Sequence, residues 1–217
     1  IPNKTSIGQK IREFFISDTK HVFIIADYSQ IELRVLAHLS KDENMITMLK
    51  NRDSDIHSET ASRIFDTDIH SVSKDMRRKA KEVNFGLIYG MESFGLSKSL
   101  NIPKKEATEL IDSYFNQFPK IKGYLESIVK DAEVSTFTET LYGRKRFIRE
   151  LASTNFQLKA MGKRIAMNAP IQGTASDIMK ISMIKLNDQI NNLDSTSILL
   201  QIHDEIIIQT PTEIATK

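Results

Sequence analysis

Three carboxylates in this chain stand where strands are expected to end. Asp27 closes the β-branched and aromatic run HVFIIA, His21 to Ala26, and Asp204 and Glu205 lie between two apolar runs, SILLQI at Ser197 to Ile202 and IIIQ at Ile206 to Gln209. Carboxylates in such places are costly unless something compensates their charge. If the runs are neighbouring strands of one sheet, Asp27 and Asp204 can face each other across 177 residues of sequence, and their repulsion calls for a cation. Hard divalent ions take oxygen ligands, and Mg²⁺ commonly uses one or two carboxylates together with substrate phosphates. Two such ions, about 3.5–4 Å apart, stabilise both the attacking and the leaving oxygen of an in-line displacement at phosphorus. Taken singly, each acid would read as an ordinary turn aspartate.

A second set, Arg77, Lys81, Phe85 and Tyr89, is spaced by four residues and followed by Gly90. On a helix of 3.6 residues per turn these lie along one slowly rotating stripe, with two cations towards one end and two rings towards the other. A nucleoside triphosphate has matching needs, cations for its phosphates and a flat apolar partner for its base. One such pair would be an ordinary amphipathic helix; four in register are much less ordinary.

The elements that must position these groups follow from pattern. HVFIIA predicts a strand, and the recurrence of Ile31, Val35, Leu36 and Leu39 predicts an amphipathic helix to about Leu39. Asp42 or Asn44 can cap the next helix. Helices are expected from about Ser73 to Ile88, from Pro103 to a stop at Pro119, over Ile121 to Val134, over Asn155 to Asn168 and over Thr174 to Ile190. LYGRKRFI between them reads as a hairpin or loop, and SILLQI and IIIQ form a hairpin with acids at its tip. The sequence thus runs strand, long helical middle, strands, with the sheet completed by distant segments. At 217 residues it can hold one substantial domain or two subdomains; 40% apolar and 27% charged residues are ordinary for a globular protein. No apolar run is long enough for a membrane span, and nothing indicates secretion. Cysteine is absent, which excludes disulfides and thiolate metal sites, and the neighbourhoods of His21, His38 and His70 lack zinc-ligand spacing. A net charge of +2 gives no vote for nucleic acid, although KDMRRKAK (74–81), RKRFIR (144–149) and KAMGKR (159–164) concentrate the basic residues. Phe94, Tyr114, Phe115 and Phe118 read as core aromatics, and Lys145 and Arg146 equally as DNA-backbone contacts or as a solvated loop.

DYSQIELR at Asp27 to Arg34, RRKAKEVNFGLIYG at Arg77 to Gly90 and QIHDE at Gln201 to Glu205 resemble, in order, the three polymerase motifs of the family A DNA polymerases. AHLS, DIH, LNIP and NAPIQGTASDI, between them, look like that family too, so the resemblance covers essentially the whole chain. It implies an α+β fold: a palm, residues 1–40 and 161–217, whose antiparallel sheet carries the catalytic carboxylates, interrupted by a mainly helical fingers subdomain, residues 41–160. It implies that Asp27 and Asp204 bind two divalent metal ions, Mg²⁺ being the expected ion, with the Tyr28 carbonyl as a further ligand and Glu205 in support. Arg77, Lys81 and His57 would contact the incoming triphosphate, Lys81 also donating a proton to the pyrophosphate. Gln30 would help hold the nucleotide, Glu32 would block a ribose 2′-hydroxyl, Phe85 would pack on sugar and base, and Tyr89 would lie by the templating position. Arg164, Asn168, Gln172 and His203 would contact the primer-template duplex, testing pair shape because minor-groove acceptors are nearly the same for all pairs. Without the motif, His57 would read as a surface or capping histidine, and Gln172 before Gly173 as a turn former.

The expected activity is template-directed addition of dNTPs to a primer, with selection by closure of the Arg77–Tyr89 helix over the nascent base pair. A single-subunit RNA polymerase would share the carboxylates and the Arg, Lys and Tyr-Gly positions, but Glu32 and Phe85 match the DNA-making pattern. The alternative from another class is a non-catalytic DNA-binding fragment. Expected partners are primer-template DNA, dNTPs and the remainder of a longer polymerase, thumb and any nuclease domains, in a monomer working in the cytoplasm, at the nucleoid if the source is bacterial, with organelle and phage origins also open. The chain reads as truncated at both ends.

Overall fold

Runs of β-branched residues at the two ends of the chain pair with one another, and the amphipathic middle packs as helices. The computed structural model describes residues 5–51 and 55–215, so residues 1–4 and 216–217 of the expected palm and 52–54 of the expected fingers lie outside it. In chain order the elements are α1 (Ser6–Arg12), β1 (His21–Asp27), α2 (Ile31–Ser40), α3 (Glu43–Lys50), α4 (Ile56–Ile64), α5 (Lys74–Ile88) and α6 (Ser93–Leu100). There follow α7 (Lys104–Gln117), α8 (Pro119–Ser135), β2 (Phe137–Glu139), β3 (Lys145–Phe147), α9 (Phe156–Ile190), β4 (Ser197–Ile202) and β5 (Glu205–Pro211). The α+β class read from the sequence is the class observed. Two compact units divide the chain: Ile1–Ser29 with Ile178–Lys217, and Gln30–Asp177.

The first unit is built on an antiparallel sheet of order β1-β5-β4. Along β5 burial alternates, with Ile206, Ile208 and Thr210 turned inward, as the two-residue period of a half-covered strand requires. Ile206 and Ile208 pack with Met179 and Ile190 from the last turns of α9, and Met183, Leu186 and Ile198 flank them. β5 is longer than the IIIQ run, because pairing with β1 continues to Pro211 opposite His21.

In the second unit, helix starts follow the capping chemistry of the sequence. Ser73 caps α5 by accepting from the Met76 N–H, and Pro119 opens α8 at a position where its missing N–H costs nothing. Asp42 does more than the sequence suggested. Its Oδ1 accepts from Met45 N at the start of α3 and its Oδ2 from Lys120 N at the start of α8, so one buried carboxylate satisfies two helix ends. Tyr114 and Phe118 are fully buried as expected, whereas Phe94 is exposed and carries the Lys98 ammonium 4.5 Å from its ring centre.

Residues 156–190 form one 35-residue helix, not two helices separated at Gln172–Gly173. Pro170 removes a backbone donor at a cost of about 3 kcal/mol, which local pattern reads as a break. Tertiary contacts override it. The Arg144 guanidinium donates to the Gly173 carbonyl at 3.0 Å and to Asp177 Oδ1 at 2.8 Å, and Thr174 Oγ1 accepts from Leu141 N, so the β2–β3 turn docks on the helix just beyond Pro170. One turn of α9 also lies directly against the backbone of the short 3₁₀ turn Arg149–Ala152. A Cβ on Gly162 would fall 2.9 Å from Leu151 N and 3.0 Å from the Glu150 carbonyl carbon. Gly162→Ala is therefore expected to destabilise the protein by about 1–3 kcal/mol despite alanine's better helix propensity, read as a lower midpoint in thermal unfolding; an unchanged or raised midpoint would show that the packing yields.

Candidate active site

β1 and β5 bring the acids together. Asp27, the last residue of β1, stands opposite Glu205, the first of β5, and the Tyr28 N–H donates to the Asp204 carbonyl at 3.1 Å. The strand partner of Asp27 is thus Glu205, with Asp204 one residue away in the tight turn between β4 and β5. That turn places His203 at φ 57°, and Gln201 Nε2 donates to the His203 carbonyl at 2.7 Å to hold it. A left-handed histidine is an uncommon and mildly strained choice in a two-residue turn, which fixes where Asp204 projects. Partial desolvation, then the charges of Asp204 and Glu205, push the Asp27 carboxyl above the usual range. The Tyr28 hydroxyl is 2.6 Å from Ser182 Oγ on α9, which steadies the backbone just after β1. The donor set is all oxygen, and the uncompensated repulsion at Asp27 is what a divalent cation would offset, so the residues fit the expected ions. Among the described residues no group of three or more His, Asp or Glu is arranged to hold a metal ion.

The stripe of the second unit lies along α5 as the spacing predicts. Arg77 and Lys81 are exposed, Phe85 and Tyr89 half-buried, and the opposite face, Ala80, Val83, Leu87 and Ile88, is core. Asp55 grips Arg77 through Nε at 2.6 Å and Nη2 at 3.0 Å; this pairing holds the Asp55 carboxyl down at about 2 although burial opposes it. His57, at the start of α4, is buried rather than a surface cap, 5.6 Å from the Phe85 ring centre, and burial first of all lowers its pKa. The Tyr89 hydroxyl donates to Glu32 Oε2 at 2.8 Å, so a residue of α2 meets the far end of the stripe. Gln30 precedes α2 in the left-handed region, φ 55°, without a side-chain cap. Gly90, φ +66°, lets the chain after α5 lie against α9, where a Cβ would meet Arg164 Cγ at 3.0 Å.

Arg164, Asn168 and Gln172 follow one another at four-residue steps on α9. Asn168 and Gln172 line a polar cleft of ≈ 320 Å³ with Thr140, Arg144, Arg146 and Ser176, and the buried Asn168 Oδ1 has no hydrogen-bond partner among the described residues. Arg146 thus belongs to the cleft wall. The model of DNA polymerase family A matches residues 1–217.

The chain belongs to DNA polymerase family A. It is 50% identical over 215 residues to the DNA polymerase I of Caldicellulosiruptor bescii, covering 98% of this chain and 25% of that protein. Identity to the DNA polymerase I of Bacillus subtilis is 46% over 215 residues, 98% and 24% of the two chains. The POL domain of Pol1 from M. smegmatis, in complex with DNA primer-template and dNTP, matches 100% of this chain and 38% of its own with a TM-score of 0.93 at 38% identity. The chain spans about a quarter of the length of the curated relatives it matches. None of these matches lends support to the RNA polymerase alternative.

Three residues of this family A chain escaped the reading of its motifs: Asp55, Asn84 and Arg144. Asn84 offered a signal, a polar side chain set between Val83 and Phe85 where the helical pattern demands an apolar one. Asp55 stood in the family-like DIH and Arg144 in the basic run RKRFIR, but neither stretch named its partner, which in each case lies more than twenty residues away.

Proposed function

We propose that this chain carries out template-directed DNA synthesis, transferring deoxynucleotides from dNTPs to a primer 3′-hydroxyl with release of pyrophosphate. The observation that carries the reading is the crowding of Asp27, Asp204 and Glu205 at adjoining strand ends of a family A chain. Asp27, Asp204 and the Tyr28 carbonyl would hold two divalent ions, Mg²⁺ the expected one. Such ions, when bound, supply the charge that lets the 3′-hydroxyl attack and the pyrophosphate depart.

The chain's own groups do the rest. Arg77, with its Nε edge held by Asp55, presents the remaining donors of its fork to phosphate oxygens. Lys81, one turn on, gives a proton to the leaving pyrophosphate, and His57 and Gln30 hold the nucleotide. Phe85 packs on sugar and base, and Tyr89 lies by the templating base. Arg164, Asn168, Gln172 and His203 read the minor groove of the duplex, accepting any well-shaped pair. In functional terms residues 1–40 and 161–217 act as palm and 41–160 as fingers, within a longer monomeric polymerase acting on DNA in the bacterial cytoplasm; the compact units themselves divide after Ser29 and Asp177. The test is primer extension on a primed template with Mg²⁺. A ladder that grows with dNTPs and follows the template supports the reading, and no extension by this chain or by a longer polymerase containing it leaves only a DNA-binding module.

Glu32, fixed by the Tyr89 hydroxyl, blocks the 2′-hydroxyl of a ribonucleotide. Glu32→Ala is expected to reduce discrimination against rNTPs about 10²-fold, the equivalent of about 2–3 kcal/mol of relieved overlap, in the ratio of kcat/KM values. An unchanged ratio would remove Glu32 from this role.

A further inference from the structure

Asn84 is fully buried in the middle of α5, where an amide without partners would cost a few kcal/mol. Its partners define its orientation. Thr60 Oγ1 donates its one hydrogen to the Ile56 carbonyl, 2.7 Å away on its own helix, and is left as an acceptor. Asn84 Nδ2 lies 3.0 Å from that oxygen and 3.2 Å from His57 Nδ1, whereas Asn84 Oδ1 is 3.4 Å from Thr60 Oγ1. The amide nitrogen has two hydrogens, and the two acceptors use both. Turning the amide over would set its oxygen against the committed Thr60 hydroxyl. With the amide in this orientation, His57 Nδ1 is the acceptor and the ring proton belongs on Nε2.

We propose that Asn84 is a positioning residue that fixes the imidazole of His57 in its Nε2–H tautomer, making the ring a hydrogen-bond donor to a phosphate oxygen of the incoming nucleotide. This deepens the reading of His57 as a triphosphate contact and rests on it. The surroundings agree. Burial and the positive charges of Arg77 and Lys81 disfavour a second ring proton, and only Asp55 favours it. Phe85 packs against the ring from α5 and fixes its plane. A ring with its lone pair towards the phosphates would repel them. One with N–H towards them binds without the cost of burying another cation. An amide that merely tied α4 to α5 would need only Thr60; the second hydrogen, spent on His57, is the part that bears on the ligand.

The tautomer can be read directly from the nitrogen and carbon-bound proton correlations of ¹⁵N-histidine in the full chain, the His57 signal being assigned by its loss in His57→Gln. The expected pattern is Nε2–H in the unaltered protein, and an Nδ1–H pattern there overturns the proposal without any variant. Asn84→Asp puts an acceptor where the donor was and should draw the proton to Nδ1. Its KM for dNTP is then expected to rise about tenfold with kcat less affected, and an unchanged tautomer or KM overturns the assignment. If that variant fails to fold, Asn84→Leu, which removes the donor without adding charge, should give a mixture of tautomers; a pure Nε2–H signal would count against Asn84. Adding dNTP to the protein on a dideoxy-terminated primer-template separates this idea from the one beneath it. A His57 signal that ignores the nucleotide removes His57 from the triphosphate site altogether, whereas one that responds but shows the wrong tautomer overturns the role of Asn84 alone.

Discussion

Replacing Asp27 or Asp204 by alanine is expected to lower the rate of nucleotide addition at least ~10³-fold, because on the proposed two-ion reading the lost carboxylate would remove several kcal/mol of charge stabilisation from the transition state. Folding should survive. Asp27 and Glu205 are strand partners with like charge, and Asp27 holds its proton more tightly in the folded protein than in the unfolded chain. A carboxyl with a raised pKa stabilises the fold only in acid; as pH rises through the folded value that contribution is lost, so at neutral pH the ionised group opposes folding. Asp27→Asn should then be at least as stable as the unaltered protein at pH 7 while remaining inactive. Single-turnover primer extension beside thermal unfolding makes the test. Activity retained in either alanine variant would sink the metal assignment, and activity lost together with the fold would leave it without support.

Lys81→Ala should lower the single-turnover rate about 10²–10³-fold, the range for a positioned proton donor, with a smaller rise in the KM for dNTP. The basic stretch around it divides sharply. Arg78 pairs with Asp75 on α5 itself at 2.7 Å, and Lys79 reaches Glu106 on α7 at 2.7 Å, so both cations are engaged within the protein. Lys81 is exposed on the stripe and has no ion pair among the described residues. Its removal should therefore change stability by less than about 0.5 kcal/mol. Arginine separates the two possible contributions, since it keeps the charge but does not give up a proton near neutral pH. Lys81→Arg is expected to be nearly as slow as the alanine variant. Full recovery would mean that Lys81 acts by charge alone.

Family and fold class were legible in the chain because both depend on local order: three motifs in sequence, a four-residue stripe, β-branched runs at both ends. Helix starts were legible near Ser73 and Pro103, whereas Pro119, read only as a stop, also opens α8. Helix continuity was not legible. A proline followed by glycine normally ends a helix, and α9 runs through Pro170 and Gly173 because the β2–β3 turn, through Arg144, docks on the turn that the proline weakens. The double service of Asp42 to α3 and α8 was invisible for the same reason, since Lys120 lies 78 residues on.

What the sequence by itself determined was the inventory: which acids, cations and rings are present, in what order, and on which element each sits. What only the tertiary structure decided was how they meet. Strand register set Asp27 against Glu205 and left Asp204 in the turn, a one-residue distinction that alternating side-chain faces make absolute. Helix packing brought Asp55 to Arg77, Tyr89 to Glu32 and Asn84 to His57. Periodicity tells which face of a helix is apolar and is silent about which polar group on a neighbouring helix a buried amide will find. Those pairings arise only when burial strips away water and each donor must be matched to an acceptor within reach.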